Sequence, residues 1–110
     1  MTELEKLRAG LEFCFTDPEV DALKLNAVKL CQKLKSTDVT DYATREKIIR
    51  ELFGKAGNNP VVLPVFNCDN GKNIRVGDNF LANYNVTILD IVDVTIGDNV
   101  MIAPHTLITT

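Results

Sequence analysis

A six-residue period runs through residues 74–110 and restricts what the chain can fold into more than any other feature. Val76-Gly77-Asp78-Asn79-Phe80-Leu81 has apolar first and fifth residues and a glycine second. The pattern returns as Ala82-Asn83-Tyr84-Asn85-Val86-Thr87. After two extra residues near 88–95 it reappears as Ile96-Gly97-Asp98-Asn99-Val100-Met101 and Ile102-Ala103-Pro104-His105-Thr106-Leu107, and Ile108 opens another copy. A fixed hexapeptide period is the mark of a parallel β-helix. Each hexapeptide supplies a short strand and a turn, so three complete one triangular coil. The first residue of each (Val76, Ala82, Ile88, Ile96, Ile102, Ile108) is expected to point into the prism and stack on its equivalents. The second is expected at a corner, where glycine or asparagine suits a tight backbone. A single repeat cannot bury its own apolar face, so stability comes from stacking. The reading expects about two coils, cut short at Thr110, with a partner subunit or further chain covering the end.

The first third reads as helical. Thr2–Ala9 forms a short charged helix closed by Gly10. Asp17-Pro18-Glu19 then starts a second: aspartate caps, proline suits the first position, and glutamate favours the positive end of the helix dipole. Leu23, Ala27, Leu30 and Leu34 recur at helical spacing with Cys31 beside them, and the helix is expected to reach about Lys35. Thr40 or Asp41 caps a third helix carrying Arg45, Ile48, Ile49, Leu52 and Phe53, which ends before Gly54. Gly57-Asn58-Asn59-Pro60 is a turn. Val61–Phe66 reads as one apolar, edge-like strand interrupted by Pro64, and residues 67–73 form a polar turn. The fold class is therefore α+β. The expected division is a helical cap over 1–57 and a β-helix starting within 58–110.

Several function classes drop out. With 12 basic and 15 acidic residues the net charge is −3 and no basic stripe appears, which argues against nucleic acid as partner. No run approaches the roughly 18 apolar residues of a membrane helix, and the first residues lack the apolar core of a signal peptide. A cytoplasmic location is the default expectation. Cys14, Cys31 and Cys68 have no CxxC spacing and read as free thiols, Cys31 in the core. With one histidine, a metal-dependent β-helix enzyme is not expected, and no metal is assigned.

Ordered blocks of the sequence resemble the maltose and galactoside O-acetyltransferases, the sugar-acetylating branch of the hexapeptide-repeat acyltransferases. They are Leu7-Arg8-Ala9-Gly10, Phe15-Thr16-Asp17, Glu51-Leu52-Phe53-Gly54, Phe66-Asn67-Cys68-Asp69-Asn70-Gly71-Lys72-Asn73-Ile74, Gly77–Asn85 and Val94–Pro104. The resemblance covers essentially the whole chain. It implies a left-handed parallel β-helix, a homotrimer with sites between subunits, and acetyl transfer from acetyl-CoA to a sugar hydroxyl. By the same resemblance, Asn83 matches the asparagine at the acceptor site that also steadies the transition state. Asp17 and Asp69 match sugar-contacting aspartates, and Asp90, which matches an aspartate of the Leu-Asp segment, is a further substrate-contact candidate by the same resemblance. The family's histidine base lies beyond Thr110, and His105 does not match it. Lys24 and Asn26 stand on the helix that often carries sugar-facing arginines, and lysine lacks arginine's bidentate fork. The alternative reading is a non-catalytic trimeric module that binds a saccharide or a partner.

Overall fold

The computed structural model describes residues 1–110. Three helices come first: α1 (Glu3–Arg8), α2 (Pro18–Ser36) and α3 (Tyr42–Leu52). Each begins with its own cap. Thr2 and Glu5 form a reciprocal capping box on α1. The Asp17 carboxylate accepts from Glu19 and Val20 N–H on α2, and that of Asp41 accepts from Thr44 N–H on α3. Nine short strands follow: β1 (Lys55–Ala56), β2 (Val61–Val62), β3 (Phe66–Cys68), β4 (Ile74–Val76), β5 (Leu81–Ala82), β6 (Val86–Leu89), β7 (Val94–Ile96), β8 (Met101–Ile102) and β9 (Leu107–Thr109). They build three parallel sheets, β1-β4-β7, β2-β5-β8 and β3-β6-β9, the three walls of a left-handed β-helix.

Lys55 lies opposite Arg75 and Arg75 opposite Thr95, so one coil takes 20 residues: three hexapeptides and two residues more. The expected count of about two coils becomes three. The first coil escaped the repeat pattern because Asn58 stands where later coils have aspartate and Leu63-Pro64-Val65 where they have Asn83-Tyr84-Asn85 and Ala103-Pro104-His105. Its inward positions are filled all the same, by Val62 and Phe66, which are buried. Val61–Phe66 is not one strand: β2 and β3 lie on different walls, with Leu63-Pro64-Val65 turning the corner between them. Both lie at sheet edges, which accommodates the missing N–H of Pro64.

The predicted inward column is found as expected in four of its six members. Val76, Ala82, Ile88 and Ile102 are buried, while Ile96 and Ile108 of the third coil are partly buried. A single apolar core runs from the cap into the prism. Phe53, at the end of α3, packs edge-on against Phe66 (5.7 Å) and Phe80 (6.1 Å) and so plugs the first coil. Arg45, 6% exposed, fastens the joint. Its guanidinium donates to the carbonyls of Leu34 and Thr37 at the end of α2 and of Val62 on β2, at 2.9, 3.2 and 2.6 Å. A cation at a helix C-terminus is favoured by the dipole, and three carbonyls replace the water it gives up. The sequence marked Arg45 only as a member of α3.

Candidate functional site

The two extra residues of each coil gather at one corner, where the third wall meets the first. In the first coil that corner is the loop 69–73, and one side chain holds it. The Asp90 carboxylate, 0% exposed, accepts four backbone N–H groups. Oδ1 takes those of Asp69 (3.1 Å) and Asn70 (2.9 Å), and Oδ2 those of Gly71 (2.7 Å) and Asn73 (3.2 Å). A carboxylate has about four acceptor sites, so Asp90 has none to spare for a sugar. Through these four bonds it shapes the loop that carries Asp69. Burial lifts its carboxyl above the ordinary range, opposed by the amide donors. Gly71 takes φ +83° here, and a Cβ would run into the Leu52 side chain and carbonyl. The Asn73 side chain finishes the corner by donating to the carbonyls of Asp90 and Ile91 at 3.0 Å each.

Beside this loop lies a shallow groove lined by Leu7, Phe15, Val20, Leu23, Lys24 and Asp69 among others. Lys24 Nζ sits 3.3 Å from the centroid of the Phe15 ring, a cation–π contact. Partial burial raises the Asp69 carboxyl, and the Lys24 charge pulls it back down. Asp17 stands at the start of the same helix, about 10 Å below Lys24 along its axis. Both capping bonds of Asp17 fall on Oδ2, at 3.1 and 3.2 Å, which leaves Oδ1 free. Helix capping and a ligand contact are thus compatible in one side chain. Asn26 is exposed and takes no part in the groove.

Asn83 is elsewhere. It occupies the corner between β5 and β6, at the opposite end of the third wall from Asp69 and Asp90. The four residues of β6 alone advance about 13 Å, so a single chain does not bring Asn83 together with the aspartates. Its Oδ1 accepts from Tyr84 N–H at 2.8 Å. With Oδ1 engaged by the backbone, the N–H₂ donors of the Asn83 amide are what it has left to offer. His105, one coil on, is exposed at the same corner with φ +61°. Its N–H donates to the Tyr84 carbonyl at 3.0 Å.

Two further features were not anticipated. Cys31 on α2 and Cys68 on β3, 37 residues apart, have their sulfurs 3.9 Å from each other; nothing in their spacing signals the meeting. A wider cleft of about 590 Å³ opens between Arg8, Lys72, Asn73, Arg75 and Asp93. Its cations are largely committed: Arg75 pairs with Asp93 at 3.2 Å, and Lys72 donates to the Glu51 carbonyl. No three His, Cys, Asp or Glu side chains converge on a possible metal position, and no helix is long and apolar enough to cross a membrane.

Comparison with known proteins places this geometry. Residues 6–57 match the maltose acetyltransferase hexapeptide capping motif. The chain is 37% identical over 105 residues to the galactoside O-acetyltransferase of Escherichia coli K12, covering 96% of this chain and 52% of that protein. Among solved structures, a maltose O-acetyltransferase from Clostridium difficile 630 superposes with a TM-score of 0.97 at 40% identity, over 100% of this chain and 59% of that one. A hexapeptide-repeat acetyltransferase of Vibrio cholerae, solved with acetyl coenzyme A, superposes with a TM-score of 0.84 at 41% identity, over 97% and 57%. The chain spans about half the length of the curated relatives it matches. With the helical cap, the parallel β-helix and these matches in agreement, the chain belongs to the maltose/galactoside O-acetyltransferase family of hexapeptide-repeat acyltransferases.

Proposed function

We propose that this chain supplies the cap and first three coils of an enzyme that transfers acetyl from acetyl-CoA to a sugar hydroxyl. The observation that carries the reading is the loop 69–73, whose backbone is organised by Asp90 so that Asp69 faces a groove shared with Lys24. Asp69 and the free oxygen of Asp17 accept hydrogen bonds from sugar hydroxyls, with Asp90 acting through Asp69 as a positioning residue. Asn83 contributes its amide N–H₂, a donor able to steady the oxyanion that forms when a hydroxyl attacks the thioester carbonyl. A histidine general base takes the hydroxyl proton in this mechanism, and His105 does not fill that role. The division into a cap over 1–57 and a prism over 58–110 belongs to the same reading, with β1 as the strand the cap lends to the prism.

The separation of Asn83 from the aspartates supports a site completed by a neighbouring copy in a homotrimer. So does the outer surface of the second wall, where Val61, Leu81 and Met101 stack in register, Met101 being 74% exposed. The alternative, a saccharide-binding module without turnover in these residues, is favoured by one observation: the sole histidine is an exposed corner residue.

Thiol release from acetyl-CoA, run against maltose, glucose and a galactoside, separates the two readings when paired with saccharide-observed NMR. Sugar binding that Asp69→Asn abolishes is the expected result for both. Sugar-dependent release identifies the enzyme and makes His105, the sole histidine, the candidate base, which would overturn its exclusion from that role. Absence of binding by every sugar would overturn both.

A further inference from the structure

We propose that Cys31 and Cys68 form a redox-active pair which peroxide closes to a disulfide, locking α2 onto β3 at the base of the Asp69 loop. The argument begins with placement. All three cysteines are free, yet these two sulfurs lie 3.9 Å apart across the joint between cap and prism. Closing them to an S–S bond of about 2.05 Å requires the two sulfurs to approach by roughly 2 Å. Cys68 immediately precedes Asp69, and Cys31 lies two turns along α2 from Lys24, so a bond between them would fix the two elements that frame the groove.

The surroundings suit stepwise oxidation. Cys31 is buried and Cys68 half-buried, so a small oxidant reaches the pair through Cys68's side while bulkier thiol reagents are hindered. Hydrogen bonding from Cys68 lowers the Cys31 thiol below its ordinary value, whereas Cys68 is pushed up by that same partner and by burial. In the first step Cys31 is the attacking sulfur. Its thiolate displaces hydroxide from hydrogen peroxide, giving a sulfenic acid, and the Cys68 proton carries the hydroxide off as water. The Cys68 sulfur then attacks the Cys31 sulfur; the S–S bond forms and the sulfenic oxygen leaves as hydroxide, which solvent protonates to the second water. Two thiols and one peroxide become one disulfide and two waters. The exposed Cys14, hydrogen-bonded to Thr16 at 3.4 Å, stands outside the pair.

The test uses the whole chain and is independent of acetyl transfer. After treatment with hydrogen peroxide, peptide mapping is expected to find Cys31 linked to Cys68 within one chain, with a mass lower by two hydrogen atoms. The crosslink encloses α3 and the first coil, so Tm is expected to rise by roughly 10 °C and to fall back with dithiothreitol. Cys14→Ser should leave both readouts unchanged, and Cys68→Ala should abolish them. Mapping of the unaltered chain keeps the test decisive if a variant folds poorly. Linkage through Cys14, a crosslink between chains, overoxidised Cys31 without a disulfide, or unreacted thiols would each overturn the proposal.

Discussion

Two corners of the same prism solve the same problem by opposite means. Where the first wall meets the second, the solution repeats. Asp78 Oδ1 accepts from Asn58 N–H, and Asp98 Oδ1 accepts from Asp78 N–H, each at 2.7 Å. Asn59 donates through its side chain to Asn79, and Asn79 to Asn99, at 3.3 and 2.9 Å. Asn59, Asn79 and Asn99 all take φ between 56° and 58°, the left-handed region that asparagine tolerates best after glycine. Every rung carries one exposed bond of each kind. Where the third wall meets the first, the bonds differ from coil to coil. One buried carboxylate takes four backbone donors and holds the loop that carries Asp69. A repeated corner divides its stabilisation among equivalent bonds; the other concentrates it in one residue and gains a loop free to diversify.

That contrast can be broken experimentally, and the largest effect is expected at Asp90. Asp90→Ala strands four amides under a covered loop, so urea unfolding should show a loss of about 3 kcal/mol or more. Asparagine is expected to rescue little, because its NH₂ would face donors. If Asp90→Ala proved as mild as a change on the repeated ladder, the concentration of stability argued for this corner would be wrong. Gly77→Ala comes next. A Cβ there would run into the Asp98 carboxylate and the backbone of the coil above, and a cost of about 2 kcal/mol is expected in the same measurement. Asp78→Ala removes one exposed ladder bond and should cost about 1 kcal/mol, a modest drop in denaturation midpoint.

The smallest effect on stability, and the sharpest on chemistry, is expected from Lys24→Met. Asp69 already titrates above its ordinary value of 3.8 because of burial, and Lys24 opposes the rise. Removing that charge should move the titration further up, as followed by carboxyl carbon NMR. The sign for stability follows from the direction. A raised carboxyl contributes stability that is present below the unfolded value and lost as pH rises through the folded one. Sugar binding runs the other way, since the ionised carboxylate is the better acceptor: affinity should grow with pH across that window, and Lys24→Met should shift the window upward. An unmoved Asp69 titration would show that Lys24 is held by Phe15 and does not act on the loop.

What the sequence disclosed divides along the same line. The repeated corner was legible because Gly-Asp-Asn recurs in step with an apolar column. The helix starts were legible because Thr2, Asp17 and Asp41 cap by local chemistry. The first coil was not, since Phe66 and Val62 fill the prism without the hexapeptide signature and Pro64 sits in a turn between walls. Asp90 stood out as a candidate site residue, but a Leu-Asp pair does not reveal that four amides from the preceding coil converge on it. The Arg45 joint and the Cys31–Cys68 meeting depend on tertiary approach and leave no local trace.

Asp90 belongs to the second coil, yet the loop it organises belongs to the first. The polypeptide must therefore grow about one coil past Asp69 before that loop can take its shape. On a ribosome the cap helices can form early, but the groove between Lys24 and Asp69 is finished only after residue 90 has emerged and settled on the rung below. Thr110 repeats the dependence one storey higher: its hydroxyl accepts from Val92 N–H at 3.4 Å and donates to the Leu89 carbonyl at 3.2 Å. Assembly of this edge is directional, each storey set by the next one laid upon it.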